Sequence, residues 1–136
     1  MLQLTDLEQE ALALSLRVAI WAVATGLPIA LAVAWLLARR DFPGKTLLNG
    51  VVHLPLVLPP VVVGYLLLLT FGRQGPVGRV LQDTLGVTIA FTWQGAALAA
   101  AVMAFPLMVR AIRLSIEAVD ARLESAARTL GAGRLE

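Results

Sequence analysis

The chain has no cysteine. That excludes a disulfide framework and a thiolate metal site. It has one histidine, His53, and a lone imidazole cannot assemble a zinc site. No serine, histidine and acid fall into one cluster, so intramembrane hydrolysis has no candidate residues. Charge is scarce: Lys, Arg, Asp and Glu make up 15% of the 136 residues, against roughly 25% in a soluble domain. Hydrophobic residues make up 59%. A soluble fold of this size has too much surface for its volume to hide them. A bilayer removes that problem by solvating apolar faces. The first ten residues, Met1 to Glu10, are acidic, whereas a secretory signal begins with a basic region. No cleavable targeting segment is expected.

Charge is missing altogether from three long runs. The first is Val18 to Ala38, 21 residues, or ~31 Å as a helix, enough for a hydrocarbon core about 30 Å thick. The second is Thr46 to Gly72, with the expected span at Val51 to Phe71. The third is Thr84 to Val109, with the expected span near Val87 to Met108. All three are read as helices, because lipid cannot satisfy open strand edges. Intramembrane charges mark ion and substrate pathways. Their absence argues against proton-coupled transport and leaves no fixed cation to trap a dianion.

The net charge is +2 and the pI about 9.9. The basic residues sit between the apolar runs, which makes them a topology signal rather than a nucleic-acid surface. Arg39, Arg40 and Lys45 follow the first run; Arg73 and Arg79, offset by Asp83, follow the second. Arg110, Arg113, Arg122, Arg128 and Arg134 follow the third, and only Arg17 precedes the first. Positive residues favour the cytoplasmic side. The N-terminus is therefore expected outside, and the segment 110–136 inside.

Small residues recur every four positions in the first run, at Ala22, Gly26, Ala30, Ala34 and Ala38, and again at Ala96, Ala100 and Ala104. Such stripes let helix backbones approach closely in lipid. Pro28 and Pro106 are each expected to interrupt a span. The second run carries Pro55, Pro59 and Pro60, which makes one straight helix implausible. Transporters place broken helices along their pathway, so Pro59, Pro60 and Gly64 are candidate path residues; a purely structural kink is the alternative. Gly44-Lys45-Thr46 resembles the end of a phosphate-binding loop, but Arg39 stands where that motif needs glycine. The chain is not expected to bind ATP, and no cofactor is expected. His53 reads as a hydrogen-bonded helix-end residue rather than a proton relay.

After Val109 the pattern becomes amphipathic, with Ile112, Ile116, Val119, Leu123, Ala127 and Leu130 at helical intervals. Glu124 and Arg128 form a favourable i,i+4 pair, and Arg113 with Glu117 a weaker reversed one. Asp120 can cap a helix over Ala121 to Leu130, and Gly131 suits the left-handed position that ends it. This helix is too short and too charged to span. Periodicity leaves open whether it lies on the membrane or in a groove of a soluble partner.

The stretch Glu124-Ser125-Ala126-Ala127-Arg128-Thr129-Leu130-Gly131 resembles the cytoplasmic loop of the permeases of ABC importers, Glu-Ala-Ala, three residues, Gly. Ala126, Ala127 and Gly131 match it; Ser125 stands at the usual acid, with Glu124 just before it. The segments Arg40 to Lys45, His53 to Tyr65 and Phe105 to Arg113 resemble molybdate permeases in particular, with sulfate and tungstate permeases as near relatives. The resemblance implies an all-α membrane protein, three transmembrane helices followed by a cytoplasmic coupling helix, in a bacterial inner membrane. It implies that Glu124, Ser125, Ala126, Ala127, Arg128 and Gly131 dock on a separate ABC ATPase subunit. It further implies an extracytoplasmic oxyanion-binding protein, a second permease copy and surrounding lipid. Members have further spans, and their loop continues beyond the point matching Glu136, so the chain is expected to be the N-terminal part of a permease. A non-transporting membrane anchor is the alternative from another class.

Overall fold

The computed structural model describes residues 5–119 and 121–131. These form α1 (Asp6–Arg39), α2 (Lys45–Val57), α3 (Pro60–Phe71), α4 (Pro76–Leu85), α5 (Trp93–Glu117) and α6 (Ala121–Thr129). Strands are absent among the described residues. Helices α1 and α5 are each long and apolar enough to cross a membrane, while α2 and α3 qualify only together, as a pair bent by 111°.

Helix α1 starts well before its apolar run. The Glu8 carboxylate accepts the Thr5 backbone N–H at 2.7 Å and the Thr5 hydroxyl at 3.0 Å. These bonds satisfy an otherwise free donor of the first turn and hold the Glu8 carboxyl below its ordinary value, the backbone bond contributing most. Asp6 and Glu8 also suit the positive end of the helix dipole. The acidic segment from Asp6 to Glu10 is thus helix, not an extended tail.

Helices α1 and α5 lie side by side in the same direction. Trp21 of α1 meets Trp93, the first residue of α5, with ring centroids 6.1 Å apart. Farther along, Ala30, Ala34 and Leu37 of α1 share a buried cluster with Val109 of α5 and Val52 of α2. Early residues meet early ones and late residues meet late ones. The chain between them must therefore return from the Leu37 end to the Trp93 end. Helix α2 begins that return, with Leu48 and Val52 against the cluster. Helix α3 completes it: Leu69 and Gly72 share a groove with Phe91 and Thr92.

Small residues make the α1–α5 contact. Ala22, Gly26, Ala30 and Ala34 are buried, with Leu37 completing the stripe in place of half-buried Ala38. On α5 the face is shifted: Ala97, Pro106 and Val109 are buried, Ala100 and Ala104 half-buried, and Ala96 exposed. Apolar burial from water does not drive such packing in lipid, so close backbone approach carries it. Ile20, Val23, Leu27 and Leu31 of α1, which border this stripe, are exposed. No buried polar or charged residue occurs among those described.

Two expectations are corrected and two features are added. Pro28 and Pro106 do not interrupt their helices, since α1 and α5 run through them. One proline removes a single helical hydrogen bond, and packed neighbours at membrane depth can tolerate that. As its prolines predict, the second span is not one straight helix; it is two helices broken at Leu58-Pro59, the first starting at Lys45. The third helix starts at Trp93, not Val87, because the Thr92 hydroxyl caps it by accepting the Gly95 N–H at 3.4 Å. The connection after the second run also contains a helix of its own, α4.

Glycines weld α4 to the end of α3. A Cβ at Gly75 would stand 2.4 Å from the Leu69 and Thr70 carbonyl oxygens, and one at Gly78 only 1.9 Å from that of Gly72. Their threefold spacing, Gly72, Gly75 and Gly78, is the sequence signal of this turn. At Gly26 a Cβ would meet only the flexible methyl of Met108, at 2.9 Å. Gly78→Ala is therefore expected to lower stability in detergent by about 2 kcal/mol, since backbone must move. Gly26→Ala should cost well under about 1 kcal/mol. Thermal unfolding midpoints of the two variants check the contrast.

Candidate functional site

The break between α2 and α3 follows from backbone chemistry. Pro59 and Pro60 have no N–H, so neither can donate to the carbonyls of Pro55 and Leu56, four residues before them. Leu58 and Pro59 turn extended, with ψ 141° and 140°. Pro60 then occupies the first position of α3, where a missing N–H costs nothing. The helix restarts with the Val62 and Val63 N–H groups donating to the Pro59 carbonyl at 2.9 and 3.2 Å. Pro55 is carried inside α2, so the adjacent pair makes the break.

Of the three path candidates, Pro59 and Pro60 are exposed and Gly64 is half-buried on α3. A Cβ at Gly64 would meet nothing within 4 Å, and the same holds at Gly50 on α2. No close helix contact accounts for either glycine. As helix residues each costs about 1 kcal/mol relative to alanine.

Basic residues gather at the Leu37 end. Arg39 and Arg40 end α1, Lys45 begins α2, and Arg110 and Arg113 lie on the last turns of α5. Lys45 pairs with Asp41 at 2.8 Å, and that bond holds the exposed Asp41 carboxyl below its ordinary value. Gly44 precedes it with φ +94°, a left-handed turn opening α2. The glycine–lysine pair thus starts a helix and has no strand before it. Arg113 Nε donates to Glu117 Oε1 at 2.7 Å, as its spacing suggests, and Nη1 to Asn49 Oδ1 at 3.4 Å. His53 Nδ1 donates to the Asn49 backbone carbonyl at 2.8 Å, so its hydrogen-bonded role holds, although it lies within α2 and not at its end. The Trp93 end has Arg17, whose guanidinium carbon lies 4.1 Å from the Trp93 ring centroid. Such cation–π contacts hold a guanidinium against an aromatic face. Arg73 and Arg79 belong to the same end.

Helix α6 projects beyond α5. Ser125, Ala126 and Arg128 are exposed, and Ala127 is half-buried. Leu123 and Leu130 are 67% and 88% exposed, an apolar edge not packed against the rest of the chain. Gly131 has φ +90°, the left-handed terminator that its position predicts, two residues past a helix that stops at Thr129 rather than Leu130. Asp120, the expected cap, and Arg134 lie outside the described residues, as does the Glu124 side chain. No group of three or more His, Cys, Asp or Glu gathers among the described residues.

Sequence reasoning passed over Asn49 and Trp93. Neither is charged or repeated, and each matters only through a partner far along the chain. The positive φ of Phe91, +58°, has no sequence signal either.

A family comparison agrees with this architecture. The sequence profile of the binding-protein-dependent transport system inner membrane component family matches residues 15–136, and the chain belongs to that family. Among individual proteins it is similar to the molybdenum transport system permease protein ModB of Escherichia coli (strain K12), 64% identical over 131 residues, 96% of this chain and 57% of that one. The protein of the same name from Haemophilus influenzae is 57% identical over 126 residues, 93% of this chain and 55% of that one. The sulfate transport system permease protein CysW of Synechococcus elongatus is 38% identical over 124 residues, 91% of this chain and 43% of that one. The chain spans about half the length of the curated relatives it matches.

Gly64→Ala is expected to leave the thermal midpoint unchanged or to raise stability by up to about 1 kcal/mol, since alanine is the better helix residue and meets no neighbour. A fall comparable to that of Gly78→Ala would contradict the open face at α3.

Proposed function

We propose that the chain is the membrane-spanning part of an ATP-driven importer for an oxyanion, and that the anion is molybdate. The observation that carries the anion is the 64% identity, over almost the whole chain, with a relative named for molybdenum transport, against 38% with one named for sulfate. Sulfate and tungstate are the competing anions of the same chemical type.

Three crossings fit the parallel arrangement of α1 and α5, which requires the broken pair α2–α3 to return the chain. The charge distribution fits an orientation with the Leu37 end in the cytoplasm: Arg39, Arg40, Lys45, Arg110 and Arg113 lie there, against Arg17, Arg73 and Arg79 at the other end. The N-terminus is then outside and the segment from Arg110 onward inside, with α6 as the coupling helix. Its exposed Ser125, Ala126 and Arg128 and its glycine terminator suit a groove on a separate ATPase subunit; Glu124, Ala127 and Gly131 complete the contact. Small side chains let a partner approach the helix backbone, and the left-handed glycine turns the chain away after one short lever.

An extracytoplasmic binding protein delivers the anion to the Trp93 end. Two copies of the permease form the path between them, and the open faces at Gly50 and Gly64 beside the Pro59-Pro60 break line it. No Lys, Arg, Asp or Glu falls within the three uncharged runs, so the path passes the dianion without a tight site, and selectivity rests on the binding protein. ATP-driven closure of the ATPases moves the coupling helices, which act as rigid elements between two packed arrangements.

The test has two parts. Vesicles holding the assembled transporter and its binding protein should take up labelled molybdate only with ATP, and excess sulfate should compete weakly. Equal competition by sulfate removes the molybdate assignment. Gly131→Arg places a large β-carbon residue at φ +90°, and should abolish co-purification of the ATPase while the permease stays in the membrane. Retained co-purification overturns the coupling role of α6. A chain that binds no ATPase at all is a membrane anchor instead.

A further inference from the structure

One side-chain hydrogen bond spans 64 positions of sequence and joins two helices: Arg113 Nη1 of α5 donates to Asn49 Oδ1 of α2. The Arg113 end is braced: its Nε is held by Glu117 Oε1 at 2.7 Å. At the other end His53 Nδ1 donates to the Asn49 backbone carbonyl at 2.8 Å, leaving the Asn49 amide to Arg113. The Arg113 side chain is 31% exposed, and Asn49 is half-buried, so solvent screens the contact only in part. A planar guanidinium can hold two acceptors in fixed directions, which an ammonium cannot.

The bond sits between the helix that leads into α6 and the first half of the broken pair. Helix α5 runs unbroken to Glu117, one turn past Arg113, and α6 starts at Ala121. Displacement of α6 therefore reaches the last turns of α5 first. Helix α2 ends at a proline break with no helical hydrogen bond from Pro59 or Pro60 holding it to α3. It can swing about Leu58-Pro59 without breaking one. We propose that Arg113 is a positioning residue that transmits movement of the 121–131 segment to α2, with Asn49 as its acceptor, so that the first half of the broken crossing moves with the coupling helix. This inference rests on the importer reading.

The experiment uses the complete transporter with its ATPase and binding protein in vesicles, and reads molybdate taken up per ATP hydrolysed. Asn49→Ala and Arg113→Gln should each lower that ratio about fivefold or more, the range of ordinary coupling between sites. Thermal midpoint and ATPase co-purification should stay at wild-type values. The double variant should be no worse than either single one, because both remove the same contact. Asn49→Asp, which keeps an acceptor for the guanidinium, should retain coupling. Arg113→Lys should fall between, keeping charge but losing the fork. The inference is overturned if both single variants stay within about twofold of wild type, or if their losses multiply in the double variant. Should Arg113→Gln misfold, Asn49→Ala alone decides by the same ratio. Wild-type vesicles with no ATP-driven uptake would instead overturn the importer reading and this inference with it, whereas normal uptake insensitive to both substitutions overturns this inference alone.

Discussion

A backbone carbonyl in lipid must find a donor, and the adjacent prolines at Pro59 and Pro60 withhold two of them. Most other features of the molecule can be traced to that constraint. A single proline is absorbed, as at Pro28, Pro55 and Pro106. Two in succession are not, and the helix parts with a bend of 111°. The broken pair still has to carry the chain from the Leu37 end to the Trp93 end. That return is what lets α1 and α5 lie parallel and zip together through Ala22, Gly26, Ala30 and Ala34. The break and the uncrowded glycines Gly50 and Gly64 sit on the same two helices.

Much of this was legible in residues. The four-residue stripe on α1 names its buried face almost completely, because only small side chains permit close approach and their spacing is fixed by the helix. Gly131 reads correctly because a positive φ has few other occupants. The Arg113–Glu117 pair is local and its spacing sufficient. The family motif at Ala126, Ala127 and Gly131 points to the same class as the profile match over residues 15–136.

What was not legible depended on distance or on competing local effects. The shift on α5 from Ala96 to Ala97 reflects the rotation of one helix against another, which no single run encodes. Helix α4 was not read from the sequence, because most of it falls between the second and third apolar runs. Gly75 and Gly78 are there for close approach to the α3 carbonyls, and Pro76 merely opens the helix. Asn49 is the sharpest case. An uncharged residue in an apolar run gives no hint of a guanidinium 64 positions away, and only the fold puts the two together.

If the broken pair returns the chain across the membrane, its two ends face opposite sides and label from opposite sides. The chain has no cysteine, so single cysteines at exposed Thr46, in the first turn of α2, and at exposed Gln74, just past α3, report without background. A membrane-impermeant maleimide should label Gln74→Cys from outside intact cells and Thr46→Cys only after the membrane is opened. Labelling of both from the same side would make α2–α3 a re-entrant loop and contradict the account.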